Sequence, residues 1–186
     1  AGQQSDHPQP TGNAHVLQAS TAMRDLEARW HACYPGHKPF ATSSLPADDG
    51  GAWEPVHAKR WKRFLHEHPD ALDSFDVLDD LLIALDLHAE AELPGVQEDL
   101  VRPLLEHAAG LLRLTLGDAP DLCLPWGLSD NRPALRLLSR HIQALFEDGN
   151  PTVAIRQVQT LLQLNPDDNH GCRSLLANHY LLQGQD

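Results

Sequence analysis

Histidine and cysteine are side chains that bind metal ions well, and this chain has 12 histidines and 3 cysteines. Zinc needs three or four nitrogen or sulfur ligands that converge in a tetrahedron. No group here has a recognised ligand spacing, and residues two apart on a helix point in different directions. The sequence therefore predicts surface or partly buried histidines, with no metal and no cofactor. The groups considered are His31 with Cys33 and His37, His66 with His68, and His170 with Cys172 and His179.

Aspartate dominates the stretch from residue 70 to residue 86, and no lysine or arginine lies between residues 64 and 101. Paired carboxylates can exchange protons or hold a cation. Spacings of three and four place Asp73, Asp76 and Asp80 on one face of a helix. A solvated face is the simplest interpretation, and a docking surface for a basic partner is the alternative. The stretch holds Asp70, Asp73, Asp76, Asp79, Asp80 and Asp86.

Motifs for nucleophilic catalysis are lacking in the sequence. Ser129, Ser139 and Ser174 lie outside any G-x-S-x-G turn, and Cys172 has no recognisable catalytic context. No glycine-rich loop is placed to hold a phosphate group. We predict that the chain is not an enzyme and has no catalytic residues. A metal-dependent enzyme built on the histidine and aspartate groups is retained as a second alternative.

The charge balance is acidic and unevenly distributed. The chain has 14 Lys and Arg against 26 Asp and Glu, which gives a formal net charge of −12. Residues 1–131 hold 9 basic and 21 acidic side chains, whereas residues 132–186 hold 5 of each. Phosphate groups of nucleic acids and anionic lipids repel such a chain, so neither is predicted as a partner.

The cysteines and the hydropathy indicate the compartment. Cys33, Cys123 and Cys172 are far apart, odd in number and without C-x-x-C spacing, which is typical of free thiols in a reducing environment. The sequence has neither an apolar run of about 18 residues nor a basic stretch followed by an apolar one at its start. The prediction is a cytoplasmic protein that does not enter a membrane.

Leucine-rich segments with apolar residues three and four apart predict an all-α protein. We expect residues 1–13 to form a disordered tail and residues 14–52 to form an N-terminal helix with a Pro/Gly-rich loop. Residues 53–186 are predicted to form a helical repeat domain. The predicted helices cover about 14–33, 53–68, from 70 to the Pro94-Gly95 break, 96–116, 131–147, 151–164 and 169–183.

A resemblance to tetratricopeptide repeats appears from Leu135 to Asp168, a segment of the 34-residue length of that repeat. In this register Gly149 falls in the turn between the two helices of the repeat. Ala154 takes the small position where two helices cross closely. Leu161 and Pro166 take a later position of the second helix and the closing-turn proline. The first helix is less similar to the repeat than the second.

Other strings extend the resemblance over roughly residues 53–186. The first helix departs from the pattern, because Ile142 and Leu145 stand where glycine and tyrosine are usual. Upstream, FLHEHPDALDSFDVLDDLLIALDLH resembles the start of a preceding, longer repeat. The strings LPWG, DNRP and LNPDDNHGCR are similar to those of a set of uncharacterised bacterial tetratricopeptide-containing proteins. The resemblance implies antiparallel helix pairs stacked as a short solenoid, with an extra N-terminal helical region, and it implies no enzymatic activity.

A solenoid of helix pairs presents a concave surface, and tetratricopeptide proteins bind peptides there. The repeat register places Arg136, Arg140 and Gln143 on or near that surface, with Arg173 in a comparable position on the next helix. Three neighbouring arginines can bind a carboxylate or an acidic peptide through paired hydrogen bonds. Ordinary solvated arginines are the alternative interpretation.

The segment around Trp126 is predicted to be a structural turn, with a partner-binding role for Trp126 and Arg132 as the alternative. We therefore predict a protein-interaction or scaffold module that binds a peptide or protein segment in a concave helical groove. The first alternative is an acidic inhibitor or immunity-type protein that covers a basic partner. The identity of the partner is not given by the sequence.

Overall fold

The structure of the chain is a computed structural model that describes residues 13–36, 51–89, 95–117 and 122–182; for residues 87–89 and 182 only the backbone is described. Helices hold 75% of the described residues, which confirms the predicted all-α class. The predicted disordered tail lies outside the described residues except for Asn13. Most of the predicted Pro/Gly-rich loop lies outside them as well.

Seven α-helices and one short pair of strands make up the described part of the chain. The strands are β1 (Asn13–Ala14) and β2 (Leu122–Cys123), which pair in parallel. The helices are α1 (Thr21–Cys33), α2 (Pro55–Glu67), α3 (Phe75–Ala89), α4 (Arg102–Leu116), α5 (Arg132–Glu147), α6 (Pro151–Leu164) and α7 (Cys172–Leu182). Short 3₁₀ turns at Pro69–Asp73 and Ser129–Asn131 precede α3 and α5, and a π-helical turn at Gln97–Val101 precedes α4.

The first helix is shorter than the sequence predicts. Residues 14–20 were expected to be helical, but α1 begins at Thr21 and its N-cap is Ser20, whose hydroxyl accepts a hydrogen bond from the amide of Met23 at 3.1 Å. Residues 15–20 have no regular secondary structure, and Asn131 binds the backbone of two of them. Its Oδ1 accepts from the Leu17 amide at 2.9 Å and its Nδ2 donates to the His15 carbonyl at 3.0 Å.

The third helix begins later than its acidic N-terminus predicts. The sequence predicted a helix from residue 70, whereas a 3₁₀ turn occupies Pro69–Asp73 and α3 starts at Phe75. Ser74 is the capping residue, because its hydroxyl accepts from the amides of Asp76 at 3.2 Å and Val77 at 3.3 Å. This cap fixes the position of the acidic first turn of α3.

The helices pack both with their neighbours in the chain and, for α1 with α3 and α3 with α5, with the helix after the next. Helix α1 contacts α2 and α3, α5 contacts α3, α4 and α6, and α7 contacts α6. One apolar core joins the first four helices around Trp30, Trp61, Leu78 and Leu82. A second core is formed mainly by α5 and α6, and α5 contributes Leu137 to the first core as well. Helix α5 thus connects the two halves of the molecule.

The helices of the described ranges differ from membrane-spanning helices in length and composition. None of them combines the length and the apolar character that a bilayer-spanning helix requires.

Candidate functional site

A cleft of about 770 Å³ lies between α1, α3, the start of α5 and residues 17–20, which precede α1. Six carboxylates line this cleft, which we call the acidic cleft. The basic groups that line it are Arg24, His31 and Arg136. The carboxylates are Glu27, Asp73, Asp76, Asp79, Asp80 and Asp130. The lining therefore carries an excess of negative charge, in keeping with the imbalance of the first 131 residues.

Two hydrogen bonds between α1 and the start of α3 form one wall of the cleft. The Ser74 hydroxyl, which caps α3, donates to Glu27 Oε1 at 2.6 Å. One turn further along α1, His31 Nε2 lies 2.9 Å from Asp76 Oδ2. Glu27 and His31 are four residues apart and therefore lie on one face of α1, and Ser74 and Asp76 are two residues apart at the start of α3. Local helix geometry thus places both hydrogen bonds on the same wall.

Burial and neighbouring charge both act on Glu27. Partial burial raises the pKa of this carboxyl, the hydrogen bond from Ser74 lowers the pKa, and the charge of Asp76 raises it again. The net direction is upward. Glu27 therefore exchanges a proton closer to neutral pH than an exposed glutamate does.

A buried ion pair lies at the inner wall of the cleft. The Asp79 carboxylate is 2% exposed, and its Oδ2 accepts from Arg136 Nε at 2.8 Å and from a second nitrogen of the same guanidinium. Burial raises the pKa of Asp79 to about 6, although the charges of Arg136 and Arg140 lower it. The other oxygen, Oδ1, has no hydrogen-bond partner among the described residues.

Asp80 is held by the aromatic residues of α1 and the residue that follows it. Its Oδ2 accepts from Trp30 Nε1 at 2.8 Å, and its backbone carbonyl accepts from the Tyr34 hydroxyl at 3.1 Å. Trp30 and Tyr34 stack with 4.6 Å between ring centroids. The predicted solvated face of α3 is therefore wrong for Asp79 and Asp80, which are both buried.

Arg136 and Arg140 were expected on a solvent-facing concave surface, and the structure places both inside the contact between α3 and α5. Arg140 is 8% exposed, forms an ion pair with Asp86 and donates to the Leu82 carbonyl at 3.2 Å. Arg136 is 6% exposed and paired with Asp79. Both guanidinium groups hold α3 against α5.

The other predicted concave residues are separate from this pair. Gln143 is exposed on α5. Arg173 is exposed and donates to the Pro166 carbonyl at 2.8 Å, next to Asp168. The structure therefore does not gather Arg136, Arg140 and Arg173 into one free basic cluster. Whether any of the four residues contacts a partner stays a prediction.

Trp126 is covered on two sides within the described residues. Its ring meets His170 edge-on at 4.8 Å, and the Arg132 guanidinium lies 5.4 Å from the ring centroid. Arg132 Nε also donates to the Trp126 carbonyl at 2.9 Å. These contacts favour the structural interpretation of the turn, and the binding role of Trp126 and Arg132 stays a prediction.

A second cleft, of about 440 Å³, lies between α4, α5 and α6. His141 and Gln157 line it, and burial lowers the pKa of His141. Its other lining is mainly leucine and alanine, with Glu106 and Arg113 at the edge. It carries no concentration of charge comparable to that of the acidic cleft.

The sequence offered the aspartate stretch as an alternative docking surface for a basic partner, but it did not predict a cleft or the burial of Asp79 and Asp80, although two signals were available. Helix α3 contains the run Leu81–Leu85, which is buried throughout, so it has no continuous polar face. Aspartates on such a helix must find partners. Asp79 and Asp86 are seven residues apart, and Arg136 and Arg140 are four apart, so each pair lies on one helix face.

No group of three or more His, Cys, Asp or Glu side chains in the described ranges has the geometry to hold a metal ion. Four carboxylates of the acidic cleft are instead paired with Ser74, His31, Trp30 and Arg136, and the other two, Asp73 and Asp130, lie within hydrogen-bond distance of His107 and Ser129. Comparison of the chain with protein families, with curated proteins and with solved structures finds no match.

Proposed function

We propose that the chain is a protein-interaction module, with its helices stacked as tetratricopeptide-like pairs, and that it binds a basic segment of a partner protein in the acidic cleft. The observation that carries this proposal is the lining of the cleft, where six carboxylates face one histidine and two arginines. One of those arginines, Arg136, is already neutralised by Asp79. The contacts for the partner are therefore carboxylates, and the arginines of α5 serve the fold.

The shape and exposure of the cleft support the same proposal. A volume of about 770 Å³ is in the range of sites that enclose a small ligand or a few side chains. Asp76 and His31 are each 31% exposed at the side chain, and Asp73 is 56% exposed. A partly buried carboxylate such as Asp76 is screened less by salt, so its attraction for a cation is stronger than at an open surface.

The test is a titration of labelled basic, neutral and acidic peptides, followed by fluorescence anisotropy at salt concentrations from about 0.05 M to 0.5 M. We expect the basic peptide to bind with the highest affinity, and we expect its dissociation constant to rise with salt. The double variant Asp73→Asn, Asp76→Asn should weaken binding of this peptide by about tenfold at low salt.

The matched control is the double variant Glu98→Gln, Asp99→Asn. It removes the same number of charges from two exposed residues of the π-helical turn before α4, which do not line the cleft. Binding by this control should stay close to that of the unchanged protein. Equal losses in both variants would show that only the net charge matters and would overturn the site.

The first alternative, an acidic protein that covers a folded basic partner, uses the same carboxylates. Its distinguishing result is binding to an intact basic protein with no binding to any short basic peptide. The cleft favours the peptide, because a concave site encloses a segment better than it fits a broad convex surface.

A further inference from the structure

We propose that the inner end of the acidic cleft is a site for a single primary ammonium group on an alkyl chain, as in a lysine side chain, which pairs with Asp79. This inference rests on the proposed function and names the chemistry that the cleft selects. The ammonium group can come from a lysine of a protein segment or from a free alkylamine, and the experiment below separates the two sources.

The unpartnered oxygen of Asp79 is the observation that points to a ligand. This side chain is 3% exposed, and it lines the cleft. Its Oδ2 is fully used by Arg136, whereas Oδ1 is buried and receives no hydrogen bond from the described residues. A buried acceptor without a donor is costly, so a donor brought by a ligand would be favoured at this oxygen.

The number of free oxygens discriminates between the two common basic groups. A guanidinium group forms two parallel hydrogen bonds and is best matched by both oxygens of one carboxylate. Asp79 offers only one, because Arg136 already holds the other. An ammonium group is a compact charge with three donors, so one oxygen of Asp79 and the neighbouring carboxylates of Glu27 and Asp76 suit it better.

Apolar side chains in the same cleft suit the alkyl chain that carries the charge. Leu17 and Ile83 line the cleft and are each 6% exposed, and Met23 and Phe75 line it as well. Lysine commonly buries its methylene groups along apolar surface while its charged end finds a polar partner. The cleft thus combines an apolar wall with a carboxylate at its inner end.

Proton release on binding follows from the groups around Asp79. Asp79 has a pKa of about 6 and is faced by Arg136 and Arg140 on α5 and by Asp80 on α3. An ammonium group beside it favours the ionised carboxylate, so binding near pH 6 should release about half a proton. Affinity should therefore increase as the pH rises from 5 to 7.

Glu27 is a second carboxyl of the cleft whose pKa is raised. Burial raises the pKa of Glu27, which is faced by His31 on its own helix, by Ser74 and Asp76 at the start of α3, and by Asp130 before α5. A cation near Glu27 also favours its ionised form. Protons released from Glu27 on binding therefore add to those expected from Asp79.

The experiment is isothermal titration calorimetry of the full chain with three peptides that differ at one residue, which is lysine, arginine or acetyl-lysine. We expect the lysine peptide to bind at least about fivefold more tightly than the arginine peptide, and the acetyl-lysine peptide to lose most of its affinity. Repeating the titration at pH 6 in two buffers of different ionisation enthalpy measures the protons released. This measurement uses the unchanged protein, so its result does not depend on the folding of a variant.

A second arm uses butylamine as the free alkylamine. Binding of butylamine as tight as that of the lysine peptide, with proton release, would support the ammonium site and overturn the proposal of a protein segment as its source. Equal affinity for lysine and arginine without proton release would overturn the ammonium site. In that case, loss of peptide binding in Asp73→Asn, Asp76→Asn would still support the proposed function. No binding of any basic peptide or amine would overturn both.

Discussion

A carboxylate and a guanidinium that are both removed from water meet where α3 packs on α5. Withdrawing Asp79 from water costs more than the attraction of Arg136 returns, because burial raises the pKa of the carboxyl to about 6. Arg140 and Asp86 repeat the arrangement two turns further along α3, where Asp86 is 23% exposed at the side chain. The two pairs fix the register of the two helices.

Stability should depend on pH through Asp79. Its pKa rises from 3.8 in the unfolded chain to about 6 in the folded protein, so the folded state binds more protons between these values. The stabilisation that this proton uptake by Asp79 gives the folded state is complete below pH 3.8 and is lost as the pH rises through 6. From pH 5 to pH 7 the unchanged protein should lose about 1 kcal/mol more stability than Asp79→Asn, as measured by urea unfolding.

The difference in stability between the unchanged protein and Asp79→Asn isolates the effect of Asp79. Glu27 also makes the free energy of unfolding fall as the pH rises, because its pKa is raised in the folded protein. His141 and His170 contribute the opposite sign, because burial lowers their pKa values. All three are present in both proteins and cancel in the difference. Parallel stability curves for the two proteins would contradict the assignment.

The burial of these side chains was difficult to predict from the sequence because aspartate is usually solvated. Periodicity alone placed Asp73, Asp76 and Asp80 on one face, and that face was interpreted as facing water. Asp80 is in fact held by Trp30 on α1, 50 residues away in the chain. A single sequence contains no direct record of such a contact.

At the scale of helices and turns, two glycines have opposite roles. Gly149 lies in the turn between α5 and α6 with φ of +71°, a backbone conformation that residues with a side chain rarely adopt. Gly110 lies inside α4, where a Cβ atom would meet only Arg113 Nη2, at 3.8 Å. The repeat register predicted the turn at Gly149 from sequence, whereas Gly110 has no evident conformational need for glycine.

The two alanine variants should therefore change stability in opposite directions. We expect Gly110→Ala to raise the free energy of unfolding by about 0.5–1 kcal/mol, because alanine favours a helix interior. Gly149→Ala should lower it by about 1 kcal/mol, because alanine is strained at positive φ. Thermal or urea unfolding of the two variants measures both changes, and each serves as the control of the other. A loss of stability in Gly110→Ala would show that α4 needs glycine at this position.

Helix boundaries show which elements local sequence determines. The predicted range 151–164 matches α6, which begins with Pro151 at its first position and ends before Asn165-Pro166. The range predicted for α1 was wrong by seven residues at its start, because residues 14–20 are apolar enough for a helix but Asn131 binds the backbone of two of them. Local signals succeed where the end of an element is determined locally, and they fail where a distant residue determines it.

At the scale of the whole molecule, two apolar cores share helix α5. The first core contains Trp30, Trp53 and Trp61, and the second is packed by Trp126 from the turn before α5. Phe75 contacts both cores, and the two ion pairs between α3 and α5 join them further. The all-α class was predictable from periodicity. The sharing of one helix by two cores was not, because periodicity does not say which faces meet.

Because of these links we expect the two halves to unfold together. In Trp126→Phe, every remaining tryptophan belongs to the first core, so the fluorescence reports that core, whereas circular dichroism reports all helices. The two signals should give the same midpoint and slope in urea. A fluorescence transition separated from the circular-dichroism transition would show two independent units.

The side-chain amide of Asn131 forms hydrogen bonds with the backbone of His15 and of Leu17, which lie 116 and 114 residues earlier in the chain. Stacked helix pairs ordinarily fold from neighbour to neighbour, since each pair touches only the next. Here Leu17 is synthesised 114 residues before Asn131, its hydrogen-bond partner. During synthesis the residues 17–20 that line the acidic cleft therefore lack the hydrogen bond between Leu17 and Asn131 until Asn131 has been made.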